Sequence, residues 1–169
     1  MTDYGAERSQ KDEFFKLSHQ SPLPHDLQHD FGGLAYFPVD ESMVFTVTPH
    51  PGDDAELTVD TSDGQQRVYK RAAIASFEVA GEGVSLALYD SGHPGYFLPF
   101  RDKTSGKGTY GAGRYLDVEP NSDGTVTIDF NLAYNPFCAY NDAYSCPLPP
   151  VENWLQVPIE AGEKDFAKP

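Results

Sequence analysis

From Leu34 onward the chain is cut into short alternating runs, each stopped after about 8–12 residues by a turn signal, and this cadence constrains the fold most. Residues 34–37, 43–48, 56–60, 66–70, 74–79, 84–89, 96–100, 114–118 and 125–130 read as strands, and 154–159 as a last one. The links around Asp63-Gly64 and Asp123-Gly124 carry the dipeptide that favours tight hairpins. Pro99 marks the 96–100 run as an edge strand, because proline cannot donate to a ladder. The expected fold is all-β, mainly an antiparallel barrel or sandwich, with a short N-terminal helical segment. That segment is 6–17, where Glu13, Phe14, Phe15 and Leu17 form a weak apolar face and Pro22 and Pro24 bar continuation. Residues 24–29 allow one further helical turn. We expect one domain over 1–169, with 1–33 packing on a β-domain at 34–164 and loose ends at 1–5 and 164–169.

Composition and charge exclude several classes. A chain with 39% hydrophobic and 13% aromatic residues buries too much surface to be disordered. Two cysteines, Cys138 and Cys146, cannot make a disulfide-rich scaffold or a four-thiolate zinc site. No run approaches the ~20 apolar residues of a spanning helix, so membrane insertion is not expected. Twelve basic residues against 26 acidic ones give a net charge of −14. Nucleic acid is therefore not an expected partner. The acids are scattered rather than blocked, which favours a surface suited to a salt-rich, halophilic cytoplasm over a face for a basic partner. Residues 1–8 contain no apolar stretch, so the expected location is cytoplasmic and the thiols are expected to be free. The oligomeric state has no signature.

Several constellations could carry chemistry. Gly106-Lys107-Gly108-Thr109-Tyr110-Gly111 matches a dinucleotide fingerprint, but a strand rather than a helix follows it, so it reads as a flexible loop that could act as a lid or anion nest. Cys138 and Cys146 read as small buried residues or a loop-closing disulfide before a metal pair or a nucleophile. His25 and His29 share a face only on a helix that the prolines keep short, and His19 lies nearby. No cofactor and no metal are expected. Arg114 either holds a ligand carboxylate or phosphate or pairs with an internal acid such as Asp102 or Glu163; the internal pair is favoured. Asn131, Asn135, Asn141 and Asn153, set among Tyr134, Tyr140 and Tyr144, either bind a neutral ligand or hold a long loop by its backbone, and loop-holding is favoured.

The string from Phe97-Leu98-Pro99-Phe100-Arg101-Asp102 through Thr109-Tyr110-Gly111-Ala112-Gly113-Arg114 to Asp129-Phe130-Asn131, Tyr134-Asn135-Pro136, Cys146-Pro147 and Ile159-Glu160-Ala161-Gly162-Glu163-Lys164 resembles the family named "domain of unknown function 1684". Lys11-Asp12-Glu13-Phe14-Phe15 and Gly33-Leu34-Ala35-Tyr36-Phe37 resemble it too. The resemblance implies a small β-rich domain of bacteria and archaea and brings no activity or catalytic residues. Members often carry an acidic residue where Gly108 stands here, so any role of that carboxylate would be absent.

The favoured function is small-molecule binding in a pocket lined by the glycine loop 104–113 and the Asn/Tyr/Pro-rich loop 131–154. Its candidate ligand-binding residues are Asp102, Tyr110, Arg114, Asn131, Asn135, Cys138 and Cys146. The alternative is a hydrolase-like enzyme using a cysteine, His19, Asp102, Glu163 or Lys164 in the same pocket. A third reading is an interaction domain without a small ligand.

Overall fold

The computed structural model describes residues 2–166. Two helices, α1 (Tyr4–Leu17) and the single turn α2 (His25–Gln28), precede eight strands. The strands are β1 (Val44–Val47), β2 (His50–Pro51), β3 (Glu56–Asp60), β4 (Gln66–Val79), β5 (Glu82–Asp90), β6 (Tyr96–Phe100), β7 (Arg114–Val118) and β8 (Val126–Asp129). Every pairing between strands is antiparallel. The main sheet runs β2-β4-β5-β6-β7, with β3 beside β2 along the same edge of β4. β1 and β8 form a separate two-stranded ribbon. The fold is therefore all-β as expected, sandwich-like, and not closed into a barrel. No helix among the described residues is long and apolar enough to cross a membrane.

Where the strands differ from the expectation, a local cause is visible. Runs 66–70 and 74–79 fuse into β4, because a register shift between Arg71 and Ala73 absorbs the break as a bulge. The Asp123-Gly124 turn forms, yet β7 and β8 do not pair as a hairpin; Pro120 makes one bridge to Val126, and β8 goes to β1. Residues 34–37 reduce to one bridge, Tyr36 to Glu163. Residues 154–159 are not a strand but the first part of an irregular strap, 154–163, held by Leu155 N donating to Arg101 O at 2.7 Å and Lys103 N to Val157 O at 3.1 Å. The ends are tied more firmly than expected. Tyr4 and Gly5 belong to α1, and Lys164 N and Asp165 N donate to Ala35 O and Gly108 O. Residue 1 and residues 167–169, where the rest of that expectation falls, lie outside the described residues.

α1 starts where Asp3 accepts from Ala6 N at 2.9 Å, and Glu7 and Lys16 complement its dipole. It buries Phe15 against Leu23, Phe31 and Tyr140, which docks the N-terminal segment on the chain after β8.

From the second half of β5 to β7 the main sheet is buried on both faces, whereas β2, β3 and β4 keep one face exposed, and period-two alternation sorts the side chains. Leu86, Leu88, Leu98, Phe100 and Leu116 join Ile128, Phe130, Val157 and Ile159 in the larger core. Ala87, Tyr89, Tyr69 and Phe97 form the other. On that second side the rings run in sequence across the sheet: Tyr89 to Tyr69 at 6.3 Å, Tyr69 to Phe97 at 5.6 Å, Phe97 to Tyr115 at 4.8 Å and Tyr115 to Tyr134 at 5.8 Å. β6 is not the edge strand that Pro99 suggested, since it lies between β5 and β7; the proline is accommodated because the paired register between β5 and β6 is the single couple Tyr89–Phe97. Fully buried Asn153 fills the gap: its Oδ1 accepts from Ala87 N, and its Nδ2 donates to Ala87 O and Pro99 O, all at 2.8–2.9 Å.

Candidate functional site

The aromatic face does not end flush. A cleft of about 320 Å³ opens where the sheet meets the turns after β8, within the range of small-ligand sites. Tyr69, Phe97 and Tyr115 line it from the sheet, and Tyr134, Phe137 and Tyr144 from the turns. Two phenols are already engaged, Tyr115 with Pro147 O and Tyr134 with Asp117 at 2.9 Å. Burial, first of all, pushes both phenols far above their ordinary pKa, so they stay neutral. Arg67, also in the lining, donates to Ser145 O at 2.9 Å. Asn135 lines the cleft as well, and its Oδ1 is buried without a hydrogen-bond partner. A buried unpaired acceptor costs about 1–3 kcal/mol, which a ligand donor could recover.

Cys146 is in the cleft wall, and Cys138 lies behind it. Both are free and buried. Cys138 sits in a one-turn 3-10 segment, Phe137–Ala139, started by Pro136. That turn aims Cys138 N at Cys146 Sγ, 3.3 Å away, while Tyr110 Oη lies 3.5 Å from Cys138 Sγ. Donation from Cys146, and then from Tyr110 and Ser62, holds the Cys138 thiol down at about 6. The shared hydrogen bond, with burial, drives Cys146 in the opposite direction. The pair therefore keeps one proton across the neutral range.

One thiolate absorbance step should appear near pH 6 in the folded protein, vanish in Cys138→Ser and move up in Cys146→Ala, which lacks the donor. Because the folded Cys138 pKa is depressed, its contribution to stability is complete above the ordinary thiol pKa and is lost as pH falls through about 6. Cys146 acts with the opposite sign above the ordinary thiol range. An ultraviolet titration with no step below the ordinary thiol range would refute the assignment.

The seven sequence candidates fall into three places. Tyr110, Cys138 and Cys146 come together, and Asn135 stands on the wall of the same cleft. Arg114 and Asp102 are in the interior, 3.5 Å apart, and bind the strap: Arg114 donates to the carbonyls of Ile159 (2.9 Å), Ala161 (2.5 Å) and Glu163 (3.2 Å), and Asp102 accepts from Ile159 N (2.6 Å). Asn131 holds the backbone of Asp40 and the carboxylate of Asp129, at the edge of a second cavity of about 270 Å³ beneath α1. Glu163 is fully buried and ties three segments, taking Lys11 Nζ and Asn135 N at 2.9 Å each and the Tyr140 hydroxyl.

The glycine loop adds no residue to the cleft lining and reaches it only through Tyr110. It is closed on itself, because the Thr104 hydroxyl donates to Asp102 at 2.7 Å and meets the Thr109 hydroxyl at 2.9 Å. The sheet-side rings Tyr69, Phe97 and Tyr115 and the rim residue Phe137 are among the cleft residues not singled out from sequence. For the three sheet rings the signal in the sequence was their place in strand-like runs; Phe137 had none.

The comparisons with known proteins accord with this architecture. Residues 29–164, which include every cleft-lining residue, match the family described as "Protein of unknown function (DUF1684)". No protein among the curated ones matches the chain. The solution NMR structure of the uncharacterized protein from gene locus rrnAC0354 of Haloarcula marismortui is 42% identical, with a TM-score of 0.73, over 95% of this chain and 91% of that one. The strap, the cleft and the thiol pair are thus features of a chain that belongs to the DUF1684 family.

Proposed function

We propose that the chain is a binding module for a small, flat, largely apolar molecule that carries an N–H or O–H donor, held in the aromatic cleft. The observation that carries this reading is the convergence of six aromatic side chains, from the sheet and from the turns, on one cleft of about 320 Å³. Ring faces and edges favour an aromatic guest in stacked or edge-on contact. The unpaired Asn135 Oδ1 supports a donor on the ligand, and Arg67 limits the site to neutral or anionic guests. The lowered Cys138 thiol supports the enzymatic alternative, but among the described residues no histidine hydrogen-bonds either sulfur to serve as its base. The charge of −14 and the Haloarcula relative support a salt-rich cytoplasm as the setting.

Phenol and indole are suitable probes. Amide shifts in a titration should be saturable and confined to the cleft, with Kd in the millimolar range or tighter. Truncating a ring at Phe137→Ala or Tyr144→Ala should weaken binding by about tenfold. If neither probe gives saturable shifts, or if they map elsewhere, the reading fails.

A further inference from the structure

We infer that Cys138 and Cys146 form a reversible dithiol–disulfide couple, oxidised by a hydroperoxide, that reshapes the wall of the aromatic cleft. Three observations support it. The cysteines are neighbours in space: Cys146 Sγ accepts from the backbone N of Cys138 at 3.3 Å, within the one-turn segment that carries the Cys138 side chain. Both lie in irregular chain, Cys138 in a 3-10 turn and Cys146 in a loop, so the approach to a bonding distance of about 2.05 Å need not break a strand ladder. Cys146 lines a cleft wide enough for a hydroperoxide, which brings oxidant to the wall directly in front of Cys138.

The environment distinguishes the two sulfurs. Tyr110 Oη at 3.5 Å and the Cys146 thiol donate to Cys138, which makes Cys138 the attacking thiolate and Cys146 the resolving thiol. With hydrogen peroxide, the Cys138 thiolate takes one oxygen. The O–O bond breaks, and the departing hydroxide is protonated to water, leaving Cys138 as a sulfenic acid. Cys146 sulfur then attacks that sulfur. The S–S bond forms, the S–O bond breaks, and the hydroxyl leaves as a second water with the Cys146 proton. Overall two thiols and one hydrogen peroxide give one disulfide and two waters.

Closure ties the chain across residues 138–146, whose neighbours Phe137, Ser145 and Pro147 line the cleft. That consequence rests on the cleft being the binding site. Disulfide formation itself is read without any ligand, so the two ideas can fail separately.

The test treats full-length protein with hydrogen peroxide and follows intact mass. The expected product is a monomer lighter by two hydrogens, returned to the starting mass by dithiothreitol, with one peptide linking Cys138 and Cys146. Cys146→Ser should stop at a sulfenic acid on Cys138 that dimedone captures, and Cys138→Ser should react far more slowly. An unchanged mass, oxygen adducts that never give way to the disulfide, or a disulfide between two chains would overturn the inference. Should Cys146→Ser fail to fold, the linked peptide from the unmodified protein decides alone.

Discussion

Arg114→Ala should cost about 3–5 kcal/mol of stability, enough to unfold a marginal domain, and it should do so without any ligand present. The side chain is 1% exposed, and it holds together segments distant in sequence. Its Nη1 and Nη2 donate to three strap carbonyls and pair with Asp102, which in turn takes Ile159 N. Two glycines flanking this network pack directly on neighbouring backbone. Gly113, at φ +112, lies where a Cβ would meet Phe100 O at 2.6 Å, and Gly162, at φ +81, where it would meet Phe130 O at 2.7 Å. Burial pulls the guanidinium below its ordinary pKa, and Asp102 opposes that.

A double substitution separates charge from hydrogen bonding. Replacing a simple buried ion pair by apolar residues is often neutral. Here Arg114→Met with Asp102→Leu should remain strongly destabilised, because three carbonyls and one N–H of the strap lose their partners. Arg114→Lys should fall between, since one ammonium cannot reproduce the fork. Urea denaturation monitored by the fluorescence of Trp154 reads all three. A stable Arg114→Ala with impaired probe binding would instead place Arg114 in the ligand site.

The same residues show how far sequence reading reaches. Strands at 56–60, 96–100 and 114–118 were legible to the residue, because period-two alternation and turn glycines bound them on both sides. The pairing of β8 with β1, across about eighty residues, was not, since a local Asp-Gly turn carries no information about distant partners. The internal acid for Arg114 was anticipated, whereas its three backbone acceptors were not: carbonyls leave no mark in a sequence. The dense Asn/Tyr/Pro stretch supplies one wall of the cleft, through Tyr134, Asn135 and Tyr144. The opposite wall was hidden because its rings look like ordinary strand residues until the sheet places Tyr69, Phe97 and Tyr115 in one row. The glycine loop misled for a converse reason. Its composition suggests freedom, but the Thr104 and Thr109 hydroxyls close it.

Asn153→Ala should cost about 3–5 kcal/mol, since removing the amide orphans Ala87 N, Ala87 O and Pro99 O in the core at about 1–3 kcal/mol each, less some relaxation. No other side chain bonds the backbone of both β5 and β6 among the described residues, and their register is a single couple, so nothing nearby is set to substitute. Asn153→Asp sharpens the test. The carboxylate can still accept from Ala87 N, but it faces two carbonyls with acceptors and buries a charge, so at neutral pH it should be at least as damaging as alanine. Its folded-state pKa must be raised above the unfolded value. The penalty is therefore full at neutral pH and fades as pH falls through the folded pKa, where the protonated acid regains one donor. Hydrogen exchange localises the effect: the Ala87 amide should lose protection in both variants while amides of the β4–β5 hairpin turn end keep theirs. An Asn153→Ala protein whose Ala87 amide stays as protected as before would mean that the two strands close directly on each other and that the asparagine is dispensable.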